Sequence, residues 1–174
     1  SDLPSVRRGN VTTLENAVGD GIGNLSIGQG EMLVTPLQVA RLTNIIARRG
    51  NDAELSLIKN ADEIMTSAGG SFAQRRVDAN VISKETAEEI TRMMRQTVIY
   101  GTARGTGSNF EAAGKTGSAE TGTYEGAPVH GWFTGFFPAS DPKYTITVFV
   151  ENGRSGRASA VPIFEKIAAE IESL

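Results

Sequence analysis

Apolar positions along this chain of 174 residues recur with two periods, and these divide it into helices and strands. Thr35, Pro36 and Gln38 form a helix start: an N-cap, a proline at the first helical position and a capping-box partner. Leu37, Ala40, Leu42 and Ile45 follow at near-helical spacing, and Gly50 ends the run. The pattern predicts a largely buried helix over 36–49. A second helix starts at Ser83, with Glu85 and Glu88 suited to its positive N-terminal end and Gly101 beyond it. Ala87, Ile90, Met94 and Val98 form its stripe with Met93 beside them, which reads the methionines as core filling. A terminal helix is predicted from about Ala160 to Ser173, with Val161, Phe164, Ile167, Ala168 and Ile171 on one side.

The strand signals lie mostly between the second and third helices. A strand is predicted from about Phe110 to Thr121, then an aromatic one over Gly131–Phe137, expected to be buried on both faces. Tyr144–Val150 alternates apolar and polar residues and is rich in β-formers. Pro138 to Pro142 turn between the last two, so an antiparallel pair is the simplest arrangement. Residues 53–60 also alternate as a strand would. The glycine-rich residues 1–30 read as irregular, 101–110 as a loop, and Gly122 to Pro128 as a turn-rich connection. Within 61–82 only a loop at Gly69-Gly70-Ser71 and a short strand from Arg75 to Val77 suggest themselves. Sequential strands beside segregated helices indicate an α+β fold: an antiparallel sheet covered by helices.

Composition narrows the chemistry. The length suits one domain, and 39% hydrophobic with 21% charged residues is ordinary for a globular protein. Net charge is −3 and no basic run stands out, which argues against nucleic acid as a partner. Absence of cysteine removes disulfides and thiol chemistry. His130 is the only histidine, so multi-histidine metal sites are excluded and any Ser-His-Asp triad must pass through it. No cofactor or metal is called for. No apolar run reaches the length that spans a bilayer.

The stretch with the most chemistry is Ala113-Gly114-Lys115-Thr116-Gly117-Ser118-Ala119-Glu120. As a strand it sends Lys115 and Gly117 to one face and Thr116 and Ser118 to the other. Two hydroxyls on one face, beside a cation, suit a ligand carboxylate, and Gly117 permits close approach. An exposed edge strand with a solvated lysine is the plain alternative. Two nucleotide motifs fail on spacing. A phosphate-binding loop ending at Gly114-Lys115-Thr116 needs a glycine where Asn109 stands. A dinucleotide fingerprint counted from Gly19 or Gly21 meets Asn24 or Ser26 in place of its third glycine.

Lys115-Thr116-Gly117-Ser118 resembles the K-T-G motif of penicillin-binding proteins and related serine β-lactamases. The flanks extend the likeness over nearly the whole chain, in family order: Ser26-Ile27-Gly28-Gln29-Gly30, Thr35-Pro36-Leu37-Gln38-Val39-Ala40, Gly101-Thr102-Ala103, and His130-Gly131-Trp132-Phe133-Thr134-Gly135-Phe136-Phe137-Pro138. The Thr-Pro-Leu-Gln segment leans toward the monofunctional, membrane-anchored class B type. Of the family's motifs S-x-x-K, S-x-N and K-T-G, only the last is securely present. Ser56-Leu57-Ile58-Lys59 matches the first by letter, but it follows the Thr-Pro-Leu-Gln helix and lies in a strand-like stretch. The chemistry needs serine and lysine on one helical turn. Ser108-Asn109 lacks the intervening residue of S-x-N, and Ser1-Asp2-Leu3-Pro4 resembles the segment just downstream of that motif. Residues 1–174 are therefore expected to be the C-terminal part of a transpeptidase domain of β-lactamase/transpeptidase fold. Separated from its N-terminal half, it should expose an apolar face.

The resemblance implies a peptidoglycan D,D-transpeptidase that attacks the D-Ala-D-Ala end of a stem peptide through an acyl-serine and is acylated by β-lactams. It implies an extracytoplasmic location in a bacterium, with the anchor outside this chain. Lys115 would supply positive potential and part of the proton network. Thr116 and Ser118 would hydrogen-bond the substrate carboxylate, Gly117 would keep the strand accessible, and the Ser118 N–H would be one oxyanion-hole donor. Glu120 and His130 receive no catalytic role. The chain by itself is expected to be inactive, its nucleophile being absent. A non-catalytic penicillin-binding-like module, a β-lactam sensor domain and a nucleotide-binding protein are the alternatives.

Overall fold

A computed structural model describes residues 7, 9–10, 21–30, 32–53, 55, 57, 80–107, 109–122 and 126–174. Its elements in chain order are α1 (Gly21–Ser26), α2 (Pro36–Ala47), α3 (Lys84–Ile99), β1 (Ala113–Glu120), β2 (Val129–Phe137), β3 (Tyr144–Gly153), a π-helical turn (Gly156–Ala160) and α4 (Val161–Glu172). The three strands form one antiparallel sheet in the order β1-β2-β3. With β2 central, β1 and β3 are the outer strands of this sheet among the described residues.

The helix starts follow the sequence signals. The Thr35 hydroxyl accepts from the Gln38 N–H at 3.2 Å and the Gln38 side chain accepts from the Thr35 N–H at 2.8 Å, so both halves of the capping box are made. Ser83 likewise accepts from the Thr86 N–H at 3.1 Å. Several expectations change, among them the reading of Met93 as core filling and of Ile167 in the apolar stripe of the terminal helix, which are 50% and 41% exposed. The glycine-rich region, predicted irregular, contains the short helix α1. The six residues Gly21–Ser26, fewer than two turns, fall below the length at which hydrophobic periodicity is visible. Leu42, assigned to the buried stripe of α2, is 57% exposed; Thr43, Ile45 and Ala47 are the buried residues of that helix. Residues 53, 55 and 57 lie in no strand. The rest of 53–60, with Ser56 and Lys59, the segment Arg75–Val77, the loop at Gly69-Gly70-Ser71, Ser108 and Ser1-Asp2-Leu3-Pro4 lie outside the described residues.

Each face of the sheet carries its own core. On one, Phe133 and Phe137 of β2 and Val148 of β3 pack under Val161, Phe164 and Ala168 of α4, with Val98 of α3 at the margin. The Phe133 and Phe164 rings meet edge-on with centroids 4.6 Å apart. On the other face Phe136 and Ala113 pack against Met94 and Ala47, from α3 and α2. The aromatic strand β2 is not sealed on both faces as its composition suggested: Trp132 and Thr134 are half-buried. They lie on the α2 side, where Thr134 joins a row of hydroxyls from Thr43 to Thr147, each step 2.7 Å.

Below α2, Asp52 is buried at 5% exposure and accepts from Arg41 Nε at 3.0 and 2.9 Å and from the Ala53 N–H at 2.8 Å. The Arg41 hydrogen bonds, chief among the causes, hold its carboxyl below the usual carboxylate range. A lowered folded-state pKa stabilises the fold above the unfolded value of about 4, and this contribution is lost as pH falls through the folded value. Arg41→Ala leaves the carboxylate with little solvent and without its hydrogen-bonded cation, the weaker field of Arg48 remaining. It is expected to cost about 1–3 kcal/mol at neutral pH, read by urea denaturation. Asp52→Asn should reduce the acid-side loss of stability, and an unaltered pH dependence would exclude the pair as its source.

Candidate functional site

Strand β1 is poor in β-formers, and its conformation comes from its neighbour. Lys115 pairs with Thr134, Thr116 with Phe133, Gly117 with Trp132 and Ser118 with Gly131. Gly114 explains how a strand of small residues lies flat on an aromatic one: a Cβ there would overlap the Phe133 ring tip and stand 3.0 Å from Cε1. The ring that anchors α4 therefore occupies the space beside the residue preceding Lys115.

The predicted alternation is present. Thr116 and Ser118 share the face of Phe133 and Gly131, toward α4 and the π-helical turn, while Lys115 and Gly117 share that of Thr134 and Trp132, toward α2. Thr116 is half-buried and Ser118 exposed, so neither hydroxyl is sealed in the core. Thr116 Oγ1 stands 2.6 Å from Thr102 Oγ1, and Ser118 Oγ accepts from the Gly156 N–H at 3.2 Å.

The edge of β1 remote from β2 carries polar backbone. The Ser118 carbonyl accepts from Gln29 Nε2 at 3.1 Å and the Thr116 carbonyl from Lys115 Nζ at 2.7 Å. In an antiparallel ladder a residue turns its N–H and C=O to the same side, and consecutive residues alternate. The Thr116 and Ser118 N–H groups therefore also point to the outer edge. Lys115 is exposed, and its ammonium lies on that same edge, so the strand presents a cation, two outward amide N–H groups and two hydroxyls within four consecutive residues. Such a group of donors can bind an anion and can stabilise charge developing on a carbonyl oxygen.

On the α2 side a cavity of about 400 Å³ opens between the strand and the segment after α1. Gln29, Met32, Lys115, Trp132 and Phe149 are among its lining residues. Ile27 and Leu33, also lining it, are 73% and 64% exposed and form an apolar margin. His130 borders the cavity, but its Nδ1 accepts from the Asn152 N–H at 3.1 Å and its ring packs edge-on against Phe149. Nδ1 accepts only without a proton, which puts the proton of the neutral ring on Nε2. Glu120 ends β1 exposed.

Gln29, Thr102, Gly156 and Arg157 reach β1 or its partners without having been singled out from sequence. Gln29 and Thr102 sit in segments that carried the family likeness. No sequence signal pointed to Gly156 and Arg157, whose proximity to β1 depends on how α4 returns to the sheet.

Residues 1–169 match the family described as penicillin binding protein transpeptidase domain. The peptidoglycan D,D-transpeptidase PbpA of Mycobacterium tuberculosis is 33% identical over 151 residues, 82% of this chain and 30% of that protein. The peptidoglycan D,D-transpeptidase MrdA of Haemophilus influenzae is 30% identical over 172 residues, 86% of this chain and 25% of that protein. Among solved structures, penicillin-binding protein 3 of M. tuberculosis complexed with aztreonam superposes with a TM-score of 0.74 at 28% identity, over 99% of this chain and 42% of that one. The ceftriaxone acyl-enzyme of penicillin-binding protein A from M. tuberculosis gives 0.70 at 30% identity, over 86% of this chain and 35% of the other. This chain thus spans about 30% of the length of the first of these relatives.

Proposed function

The chain belongs to the penicillin-binding protein transpeptidase family, with the β-lactamase/transpeptidase fold, and on that footing we propose that it is the C-terminal part of a peptidoglycan D,D-transpeptidase domain of class B type. The observation that carries this reading is strand β1, whose outer edge presents the Lys115 ammonium and the outward Ser118 N–H, with the Thr116 and Ser118 hydroxyls on the adjoining face toward α4.

The substrate is the D-Ala-D-Ala end of a stem peptide. A serine contributed by residues outside these 174 attacks the carbonyl between the two D-alanines. Negative charge builds on that carbonyl oxygen, and the Ser118 N–H donates to it. The terminal D-alanine leaves, the acyl-serine remains, and an amine of a neighbouring strand takes the acyl group, regenerating the serine. Lys115 supplies positive potential for the terminal carboxylate and takes part in the proton network. Thr116 and Ser118 donate hydrogen bonds to that carboxylate, and Gly117 leaves room for the ligand backbone along the edge. A β-lactam presents a strained amide and a carboxylate to the same groups, so it acylates the same serine. The N-terminal half of the domain forms the opposite wall, next to the apolar margin at Ile27 and Leu33. The enzyme works at the extracytoplasmic face of a bacterial membrane, anchored by a segment outside this chain.

Two proteins test the reading together: these 174 residues alone, and the product of the complete reading frame that encodes them. With fluorescent penicillin, the complete protein is expected to form a stoichiometric covalent adduct and the 174 residues none. An adduct on the 174 residues alone would place the nucleophile among them, and no adduct on the complete protein would end the transpeptidase assignment.

A further inference from the structure

We propose that Thr102 and the Gly156–Arg157 turn form a positioning relay that holds both hydroxyls of β1 as proton donors toward the ligand carboxylate. The relay rests on the carboxylate-binding reading of Thr116 and Ser118 given above. A hydroxyl has one proton to give and two lone pairs to receive with. A backbone N–H can only give. The bond from the Gly156 N–H to Ser118 Oγ therefore uses one of the oxygen's lone pairs and leaves the Ser118 proton for another acceptor.

The second hydroxyl is treated in the same way through a side chain. Thr102 Oγ1 and Thr116 Oγ1 are 2.6 Å apart, and either can donate to the other. A carboxylate can only accept, so once it binds, Thr116 donates a hydrogen bond to it and accepts one from Thr102. Arg157 Nη1 donates to the Thr102 backbone carbonyl at 2.7 Å and holds that residue in reach. One of its five N–H groups is used this way, and the guanidinium stays exposed, adding positive charge behind the hydroxyl pair. Donors in series polarise one another, so Thr116 donates more strongly with Thr102 behind it.

Sheet contact sets the position of the turn. A Cβ on Gly156 would overlap the Trp132 carbonyl oxygen, reach 2.5 Å from that of Gly117 and 2.9 Å from the Gly117 nitrogen. The turn lies against the backbone that carries the site, and its N–H cannot drift from Ser118 without lifting off the sheet. Because hydrogen bonds to an ionised acceptor are roughly twice as strong as neutral ones, the relay favours a carboxylate over an uncharged ester of the same shape.

The test compares acylation of the complete protein by penicillin G and by its methyl ester. Thr102→Val is expected to slow the acid roughly three- to tenfold, the change one neutral hydrogen bond supports, to slow the ester less, and to keep the melting temperature. Thr102→Ser should restore the acid rate, and Arg157→Ala should lower the acid-to-ester ratio in the same direction. An unchanged ratio in both Thr102→Val and Arg157→Ala, or equal losses for acid and ester, overturns the relay. Thr116→Val separates the two layers of the argument. If it lowers the ratio while Thr102→Val and Arg157→Ala do not, the relay alone fails. If it too leaves the ratio unchanged, the carboxylate reading of the strand fails with the relay.

Discussion

Lys115→Ala in the complete protein is expected to slow acylation by penicillin about 10²–10³-fold, the loss typical of removing one charge-stabilising group from a closed active site. The melting temperature should hardly move. Lys115 is an exposed strand residue whose ammonium bonds the Thr116 carbonyl at 2.7 Å, a carbonyl that water can satisfy on the same edge. Surface substitutions of this kind usually lie within about 0.5 kcal/mol. The kinetic effect is large for a different reason. When substrate and the opposite wall exclude water, the attraction between ammonium and carboxylate is no longer screened as it is in bulk solvent. Lys115→Arg keeps the charge but replaces a compact point charge with a planar fork, and should fall between wild type and alanine. Stopped-flow acylation beside thermal melts separates the cases. An unchanged rate would remove Lys115 from the cleft, and a falling melting temperature would make it a structural residue.

Phe133→Ala is expected to be strongly destabilising, at about 3–5 kcal/mol. Thermal melts should read it as a clearly lower melting temperature. Phe133 is fully buried, contacts Phe164 at 4.6 Å between ring centroids, and fills the space that Gly114 leaves open. Backbone atoms of β1 border the resulting cavity, so it cannot collapse without moving the strand. Phe133 is also the register partner of Thr116. The same substitution should therefore reduce acylation at temperatures where the protein remains folded. Phe133→Leu, which keeps much of the volume, should recover most of both losses. If stability falls while the acylation rate of the folded protein stays at wild type, the coupling between this ring and the site is refuted.

Helix existence was legible because the signals are local. Thr35, Pro36 and Gln38 are a cap by their own chemistry, and the structure makes each of those bonds. The antiparallel order of the last two strands was legible too, since Pro138–Pro142 allow only a tight return. Other features were not. The helix α1 has fewer than two turns, too short for a period. Leu42 belongs to an apolar pattern but lies exposed, because periodicity names a stripe without saying how far the partner covers it. Trp132 and Thr134 belong to a strand apolar enough to be sealed on both faces. They remain half-buried because the cavity beside the segment after α1 opens over them.

The residue types at the site, and their division between two faces of a strand, were determined by the sequence alone: Lys115, Thr116, Gly117 and Ser118 alternate wherever that strand is placed, since a strand's side-chain period is two. The sequence also placed the chain among penicillin-binding proteins, because several short segments agree in order. Only tertiary structure decided which backbone groups of β1 face outward, that Gln29 and Thr102 meet that strand, and that a turn nearly 40 residues downstream supplies an N–H to Ser118, the two being 38 residues apart. Those outcomes depend on register and on how α4 packs back over Phe133. Both are settled by the sum of contacts between distant residues, which no single segment of the chain contains.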